Sequence, residues 1–305
     1  MLTELIQGAI KKQFTNEQRQ IIDRTQDNMQ SAGLNYIGTC IPFKSETEAE
    51  ERSLQASAVA GVDAWDLEGA IYNTSALKQA GAQFIFSLKN NVQVPLCDKL
   101  KAYWAAETGA PEGDAEPQLS EASIAPHRLT TYVTISKMLL NQTQNVEALL
   151  TEMLATAINE KLESTIFSTT QESNGVKPFL SETASTITSY ADICNLEDTT
   201  ADTLKPTYVL SKAAKNALRQ MSKGNSFVMD GGKIDGTTTI TSSNVEDSYL
   251  IYGDFSKFKV CVWSDGIDVL VDPITQAKDG NTRLIVNFYV DYYVSNPNAF
   301  AVGKI

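Results

Sequence analysis

Histidine is almost missing from this 305-residue chain: His127 is the only one. A metal site built on several imidazoles is therefore excluded, and any Ser-His or Cys-His nucleophile would have to recruit this one ring. It follows Ala125-Pro126 and opens a strand-like run, a place that suits a surface or strand-edge residue better than a catalyst. Cysteine is scarce too. Cys40, Cys97, Cys194 and Cys261 lie far apart with no C-x-x-C pair, which fits a reducing compartment rather than a disulfide scaffold. Positive charge is in short supply, with 25 Lys and Arg against 37 Asp and Glu, a formal net charge of -12 and a pI near 4.6. Such a surface repels phosphate, so general DNA or RNA binding through a basic face is not expected. No run approaches the ~18 apolar residues of a membrane span. The first residues do not read as a secretory signal, because Glu4 interrupts the apolar positions and Lys11 and Lys12 fall after them. P-loops, dinucleotide glycine fingerprints and nucleophile elbows are absent, and Asp230-Gly231-Gly232 and Asp235-Gly236 read as turns. The expectation is a soluble, acidic, intracellular protein that is no enzyme and has no cofactor, metal or membrane partner.

What is present is enough apolar residue, 42%, to bury a core in one large domain or two ordinary ones. Leu2, Leu5, Ile6, Ile10, Phe14, Ile21, Ile22 and Met29 recur at helical spacing and predict an amphipathic helix or helix pair that stops near Gly33. It packs on its own domain or forms an arm that needs a partner surface. An acidic stretch from Ser45 to Arg52 and small residues from Ala56 to Ala60 suggest a connection to the main body. Phe84, Phe86, Leu88, Val92, Val94 and Leu96 then hold even positions, a period-two pattern longer than a usual strand. Leu129, Thr131, Val133 and Ile135 make a second alternating run. Between them, Glu107 to Glu121 carries Glu107, Glu112, Asp114, Glu116 and Glu121 and no basic residue. Two strands running outward and back around an acidic tip would form a projecting hairpin, with an apolar face for a neighbouring molecule to cover.

The most regular helix pattern follows. Val146, Leu149, Leu150, Met153, Leu154, Ala157, Ile158, Leu162 and Ile166 define one apolar stripe, with Glu147, Glu152, Glu160, Lys161 and Glu163 on the wet side. At ~1.5 Å per residue, about 22 residues span about 33 Å. Downstream come short strands at Tyr208–Leu210, Thr237–Thr241 and Tyr249–Tyr252, and a helix from Ser211 to Met221. Lys259–Trp263 and Ile267–Val271 flank Ser264-Asp265-Gly266 as a predicted β-hairpin. Leu284, Val286, Phe288, Val290, Tyr292 and Val294 line one face of a long final strand. Antiparallel strands mixed with two main helices give the α+β class. A hydrolase using Asp265 with Asp268 or Asp272 is a rival reading, although carboxylates in such positions are usually solvated turn residues.

The order of these parts resembles the major capsid proteins of tailed bacteriophages, built on the Hong Kong phage-type capsid fold. The resemblance is carried by Tyr249-Leu-Ile-Tyr-Gly253-Asp254-Phe255, by Val260-Cys-Val-Trp263-Ser-Asp-Gly266-Ile267, by Leu284 to Asp291, and by Asn296-Pro297-Asn298-Ala299-Phe300. Pro206 to Ser211 leading into the Leu218 helix resembles the start of the family's A-domain, and Val146 to Phe167 its spine helix. The resemblance implies an N-terminal helical arm or scaffold-like segment over 1–70 and an extended β-hairpin E-loop over 83–128. It further implies a P-domain over 129–199 and 258–291 and an A-domain over 200–257 and 292–305. Self-assembly into hexamers and pentamers of an icosahedral shell around double-stranded DNA would follow, with portal, scaffold, protease or decoration proteins as further partners. The implied contacts are Phe84, Phe86, Leu88, Val92, Val94, Glu112, Asp114 and Glu116 on the hairpin, and Lys278, Asp279, Asn281 and Arg283 where capsomers meet. A-domain loops such as Asn225 to Gly236 would meet around the capsomer axis. The founding member's isopeptide cross-link joins an E-loop lysine to an asparagine aided by a glutamate. Asn281 falls near the asparagine position, but the acidic tip has no lysine and Phe288 stands near the glutamate's place, so no cross-link is expected. The alternative is an encapsulin-type compartment enclosing cargo enzymes.

Overall fold

The computed structural model describes residues 2–11, 13–44, 66–97, 119–136, 143–180, 184–200 and 205–305. In chain order the first elements are helices α1 (Leu2–Lys11) and α2 (Asn16–Ser31), strand β1 (Thr39–Pro42), and helices α3 (Leu67–Thr74) and α4 (Ala76–Ala80). Strands β2 (Gln83–Leu88), β3 (Val92–Cys97), β4 (Leu119–Ile124) and β5 (His127–Ser136) lead to helix α5 (Thr143–Ile166). Strand β6 (Ser185–Thr186), helix α6 (Tyr190–Asp198), strand β7 (Thr207–Leu210) and helix α7 (Lys212–Gln220) follow. Then come the short strands β8 (Ser222–Lys223), β9 (Ser226–Phe227), β10 (Met229–Asp230) and β11 (Lys233–Ile234), with β12 (Thr237–Thr241) and β13 (Tyr249–Gly253). The chain ends with β14 (Phe258–Trp263), β15 (Gly266–Asp272), β16 (Asn281–Val294) and β17 (Phe300–Lys304).

Two sheets organise these elements. In the first, β16 is the long central strand, with β5 antiparallel along one side of residues 281–290. The other side is shared. Val262 lies opposite Val290 and Asp268 opposite Asn287, so six residues on one strand match three on the other. β14 and β15 are thus one bent strand with extra residues bulged out around Ser264-Asp265, and not the hairpin that the turn chemistry predicts. Ser264 takes a φ of 67 and Gly266 is packed so closely on Ile41 that an added Cβ would lie 2.3 Å from its carbonyl oxygen. A bulge uses the same residues as a reversing turn, which is why the pattern misleads. β1 adds to the free edge of β15, and β2 runs parallel to β14. The second sheet has the order β10-β11-β12-β7-β13-β17-β6.

Helix α5 covers one face of the first sheet. Its Leu150, Leu154, Ile158, Leu162 and Ile166 bury against Val260, Val262, Ile267, Val269, Leu284, Val286, Phe288 and Val290. Each such side chain contributes about 1.5–3 kcal/mol on leaving water. The period of two in β16 decides the sidedness, because Tyr289, between Phe288 and Val290, joins a separate cluster on the opposite face with Cys40, Cys261, Trp263, Met29 and Ile124. The predicted stripe of α5 is corrected at its margins: Leu149 and Met153 are 49% and 46% exposed, while Glu163, expected in water, is 1% exposed.

The long alternating run from Phe84 to Leu96 is two strands. Positive φ values at Ser87 and Asn90 break it, and Trp263 donates its indole N–H to the Asn90 carbonyl at 2.7 Å. The hydrophobic phase carries across the break because Leu88 and Val92 are both even, so the pattern alone cannot show it. β3 pairs with β4 in its own two-stranded sheet, so the return strand is Leu119–Ile124 and not the Leu129 run, which is β5 and lies in the main sheet.

Candidate assembly surfaces

The β3–β4 ladder stands outside both large sheets and is fixed at its root. Ile124 is buried in the cluster around Trp263, and Leu88 and Val94 pack against it. The Ala125 N–H donates to Asp291 Oδ2 at 3.3 Å, and His127 Nδ1 lies 3.2 Å from the Asn174 carbonyl oxygen. Burial raises the Asp291 carboxyl above its ordinary range. Val92 is half-buried at the base of the ladder, and Glu112, Asp114 and Glu116 lie outside the described residues. Phe84 and Phe86 are engaged within the chain itself: both meet Tyr72 edge-on, at 5.4 and 5.6 Å between ring centres, and Phe86 also meets Phe43 at 5.7 Å. Their apolar faces therefore belong largely to the root of the hairpin, on the body of the molecule.

A second surface is the loop between β15 and β16. Asp272 organises it by accepting from the Ile274 and Thr275 amides at 2.9 and 3.1 Å and from the Thr275 hydroxyl. These donors, the hydroxyl first, hold the Asp272 carboxyl below the usual range. Gly280 closes the loop with a φ of 70. Ile274 at its tip is 81% exposed, Lys278 and Asp279 are exposed, and Asn281 is half-buried. Arg283 lies over the ring of Tyr132, 4.6 Å from its centre, and Tyr132 is 65% exposed. This contact crosses the β5–β16 ladder and was not legible from the spacing of either strand. Phe288 is buried edge-on against Phe43 at 5.8 Å.

The carboxylates of the hydrolase reading are structural acceptors. Asp268 is 1% exposed and receives the Ile37 and Gly38 amides at 3.2 and 2.8 Å and Asn287 Nδ2 at 2.9 Å. Asp265 receives Asn28 Nδ2 at 2.7 Å. Together they clamp α2 and β1 onto the bulged strand, while Leu5 and Ile6 of α1 are buried beside α5. The N-terminal segment is thereby packed on its own chain. Cys40 and Cys261 are buried together in the cluster behind this clamp, and burial pushes both thiols up to about 12.

Glu163 joins three parts of the molecule, and no sequence signal marks it. Its Oε1 accepts from the Ser75 hydroxyl at 3.0 Å and from the Ala76 and Leu77 amides at 2.6 and 3.2 Å, while Oε2 accepts from Asn244 Nδ2 at 2.9 Å. One turn earlier, Asn159 donates to the Ile71 carbonyl and Thr74 Oγ1 at 2.8 and 2.6 Å. Helix α5 thus holds the α3–α4 pair and the β12–β13 loop in fixed positions. Among the described residues no group of three or more His, Cys, Asp or Glu is placed to hold a metal ion. No described helix is long and apolar enough to cross a membrane.

Comparison with known proteins agrees with this geometry. The family model described as the phage capsid family matches residues 67–305. No curated protein matches the sequence. Among solved structures, the capsid of an empty GTA particle computed with C5 symmetry superposes with a TM-score of 0.62 at 18% identity, covering 84% of this chain and 97% of that one. Mycobacterium phage Bobi gives 0.56 at 14% identity over 85% and 98% of the two chains. The satellite phage P4 procapsid including its size determination (Sid) protein gives 0.54 at 7% identity over 78% and 97%. The two-sheet body, the long covering helix and the outlying hairpin are thus the fold of a shell subunit, and the chain belongs to the phage capsid family.

Proposed function

We propose that this shell protein assembles as hexamers and pentamers into an icosahedral coat around double-stranded DNA, inside a bacterial host cell. The observation that carries the reading is the β3–β4 ladder, two strands that among the described residues pair only with each other and are attached to the body at one end. An isolated two-stranded ribbon is marginal in water, and a neighbouring copy laid beneath it supplies the missing packing. Val92 and Val94 at the ribbon's base and Glu112, Asp114 and Glu116 beyond it are the proposed hairpin contacts. Lys278, Asp279, Asn281 and Arg283 are the proposed contacts of the β15–β16 loop. Phe84, Phe86 and Leu88 set the angle at which the ribbon leaves the body. In this reading 129–199 with 258–291 form the P-domain and 200–257 with 292–305 the A-domain. The coat contacts DNA without reading its sequence, and a portal, scaffold, protease or decoration protein meets the assembled surface. No covalent cross-link forms between subunits, so assembled particles run as a single band on denaturing gels.

The test is electron microscopy and sedimentation of the protein expressed alone. Closed shells or rings are expected. A species that stays single and compact at high concentration would refute the proposal, and particles filled with a cargo enzyme would reassign it to a storage compartment.

A further inference from the structure

The chain is acidic overall, yet its charge is unevenly placed. From Lys205 to Lys233 the sequence carries Lys205, Lys212, Lys215, Arg219, Lys223 and Lys233 against Asp230 alone. From 178 to 204 there is no basic residue, and the acids include Asp192, Glu197 and Asp198. The first stretch contains α7 and the second contains α6. α7 packs at the β10 end of the second sheet and α6 over β17, near the opposite end. The apolar sides of both helices, Ala214 and Leu218 on one and Ile193 and Leu196 on the other, are buried in the same core. What remains outward is charge of opposite sign.

Most of the basic charges are left out of ion pairs among the described residues, whereas on α6 Glu197 accepts from the Tyr208 hydroxyl. Among the described residues, Lys223 is paired with Asp235, while no ion pair holds Lys212, Lys215 or Arg219. Lys212 and Arg219 are exposed. Beside them, β9 ends in Phe227, which is 59% exposed and sits next to α7 through the Val228 N–H to Met221 carbonyl bond at 3.0 Å. An exposed aromatic side chain next to a helix whose cations are in no ion pair among the described residues has the make-up of a binding surface. On α6, Asp192 accepts from the Thr188 and Ser189 amides and hydroxyls, which lower its carboxyl to about 2 and keep it charged. The two faces are held rigidly with respect to each other. Tyr190 at the start of α6 donates to Asp235 at 2.7 Å, and Asp235 in turn pairs with Lys223 of the β8–β9 hairpin.

We propose that the basic face of α7, with Phe227, docks on the acidic face of α6 of a second copy. The inference rests on the shell reading. A ring of identical subunits joined head to tail needs two different faces per chain that complement each other, and cannot be built from one patch meeting itself. Opposite charges on one rigid domain meet that requirement and fix the direction in which copies add. Nucleic acid is the competing occupant of a basic face, and it would make no use of α6.

The test compares five proteins: wild type, Lys212→Glu/Arg219→Glu, its neutral counterpart Lys212→Gln/Arg219→Gln, Asn195→Lys/Asp198→Lys, and the chain carrying both the glutamate and the lysine pairs. Every altered residue is exposed, and melting temperatures check that each variant folds. Sedimentation velocity in about 0.1 M salt, where charges act over ~10 Å, reads the concentration at which oligomers appear. Each double variant should need at least tenfold more protein than wild type, and the fourfold variant, whose new glutamates face new lysines, should need at least threefold less protein than either double variant. The neutral variant Lys212→Gln/Arg219→Gln should fall between. The proposal is overturned if Lys212→Glu/Arg219→Glu assembles like wild type, or if the fourfold variant assembles no more readily than the double variants. Normal assembly of Lys212→Glu/Arg219→Glu with loss of enclosed DNA would assign the face to nucleic acid instead. A wild type that never assembles would remove the shell reading itself, an outcome distinct from either.

Discussion

Replacing Glu163 by alanine tests how the body of the subunit is held together. The carboxylate is buried, and its charge is answered by four donors, from Ser75, Ala76, Leu77 and Asn244, rather than by a cation among the described residues. A hydrogen bond to a charged acceptor contributes about 1.5–3 kcal/mol, and a buried donor left without its acceptor costs about 1–3 kcal/mol. The four bonds share one group and do not add in full. A loss of about 4 kcal/mol is therefore expected for Glu163→Ala, a fall of about 6 °C in melting temperature for a chain of 305 residues. Glu163→Gln keeps one oxygen for the Ser75–Leu77 donors and can meet Asn244 through a flipped amide, so about 1–2 kcal/mol is expected there. Thermal unfolding of both variants at matched oligomeric state is the assay. A Glu163→Ala protein melting within about 3 °C of wild type would refute the view of this residue as the junction of three parts.

Three further outcomes follow from the same geometry. Asp268→Ala frees the Ile37 and Gly38 amides and Asn287. It should cost about 3 kcal/mol and speed proteolysis near β1, read by limited digestion and mass spectrometry. Gly266→Ala sets a methyl group against the Ile41 carbonyl oxygen and Thr25. It should destabilise by about 3 kcal/mol in urea unfolding, with β1 as the first segment to exchange its amides. Asp291 has a carboxyl raised by burial, so its ionised form opposes folding. The stability linked to it is present below its unfolded pKa and lost as pH rises through the higher folded value. Asp291→Asn should accordingly be more stable than wild type at neutral pH, and the difference should shrink as the solution is made acid.

How far the sequence could be read depended on where the forces lie. β16 was legible because Leu284, Val286, Phe288 and Val290 face one core in strict alternation, and α5 because its stripe repeats for six turns. The capsid resemblance rested on turns such as Gly253-Asp254, where an added Cβ on Gly253 would lie 2.5 Å from the Ala299 carbonyl oxygen. The elements that escaped notice are those whose reason is distant in the chain. Thr39–Pro42 is four residues with no period of its own, made a strand by the open edge of β15. Leu119–Ile124 is mostly small and polar, and its partner is β3, across the acidic segment. Glu163 reads as an ordinary helix-surface acid because its donors lie more than 80 residues away in both directions. The hairpin contacts were inferred as one apolar face, and the aromatic half of that face turns out to pack on Tyr72 and Phe43.

The most direct measurement is a reconstruction of the assembled particle at a resolution that traces β3 and β4. The account predicts that this ribbon rests on the body of the adjoining subunit, with little change in the two sheets behind it. A ribbon folded back on its own α5, in particles or in a stable monomer, would contradict it.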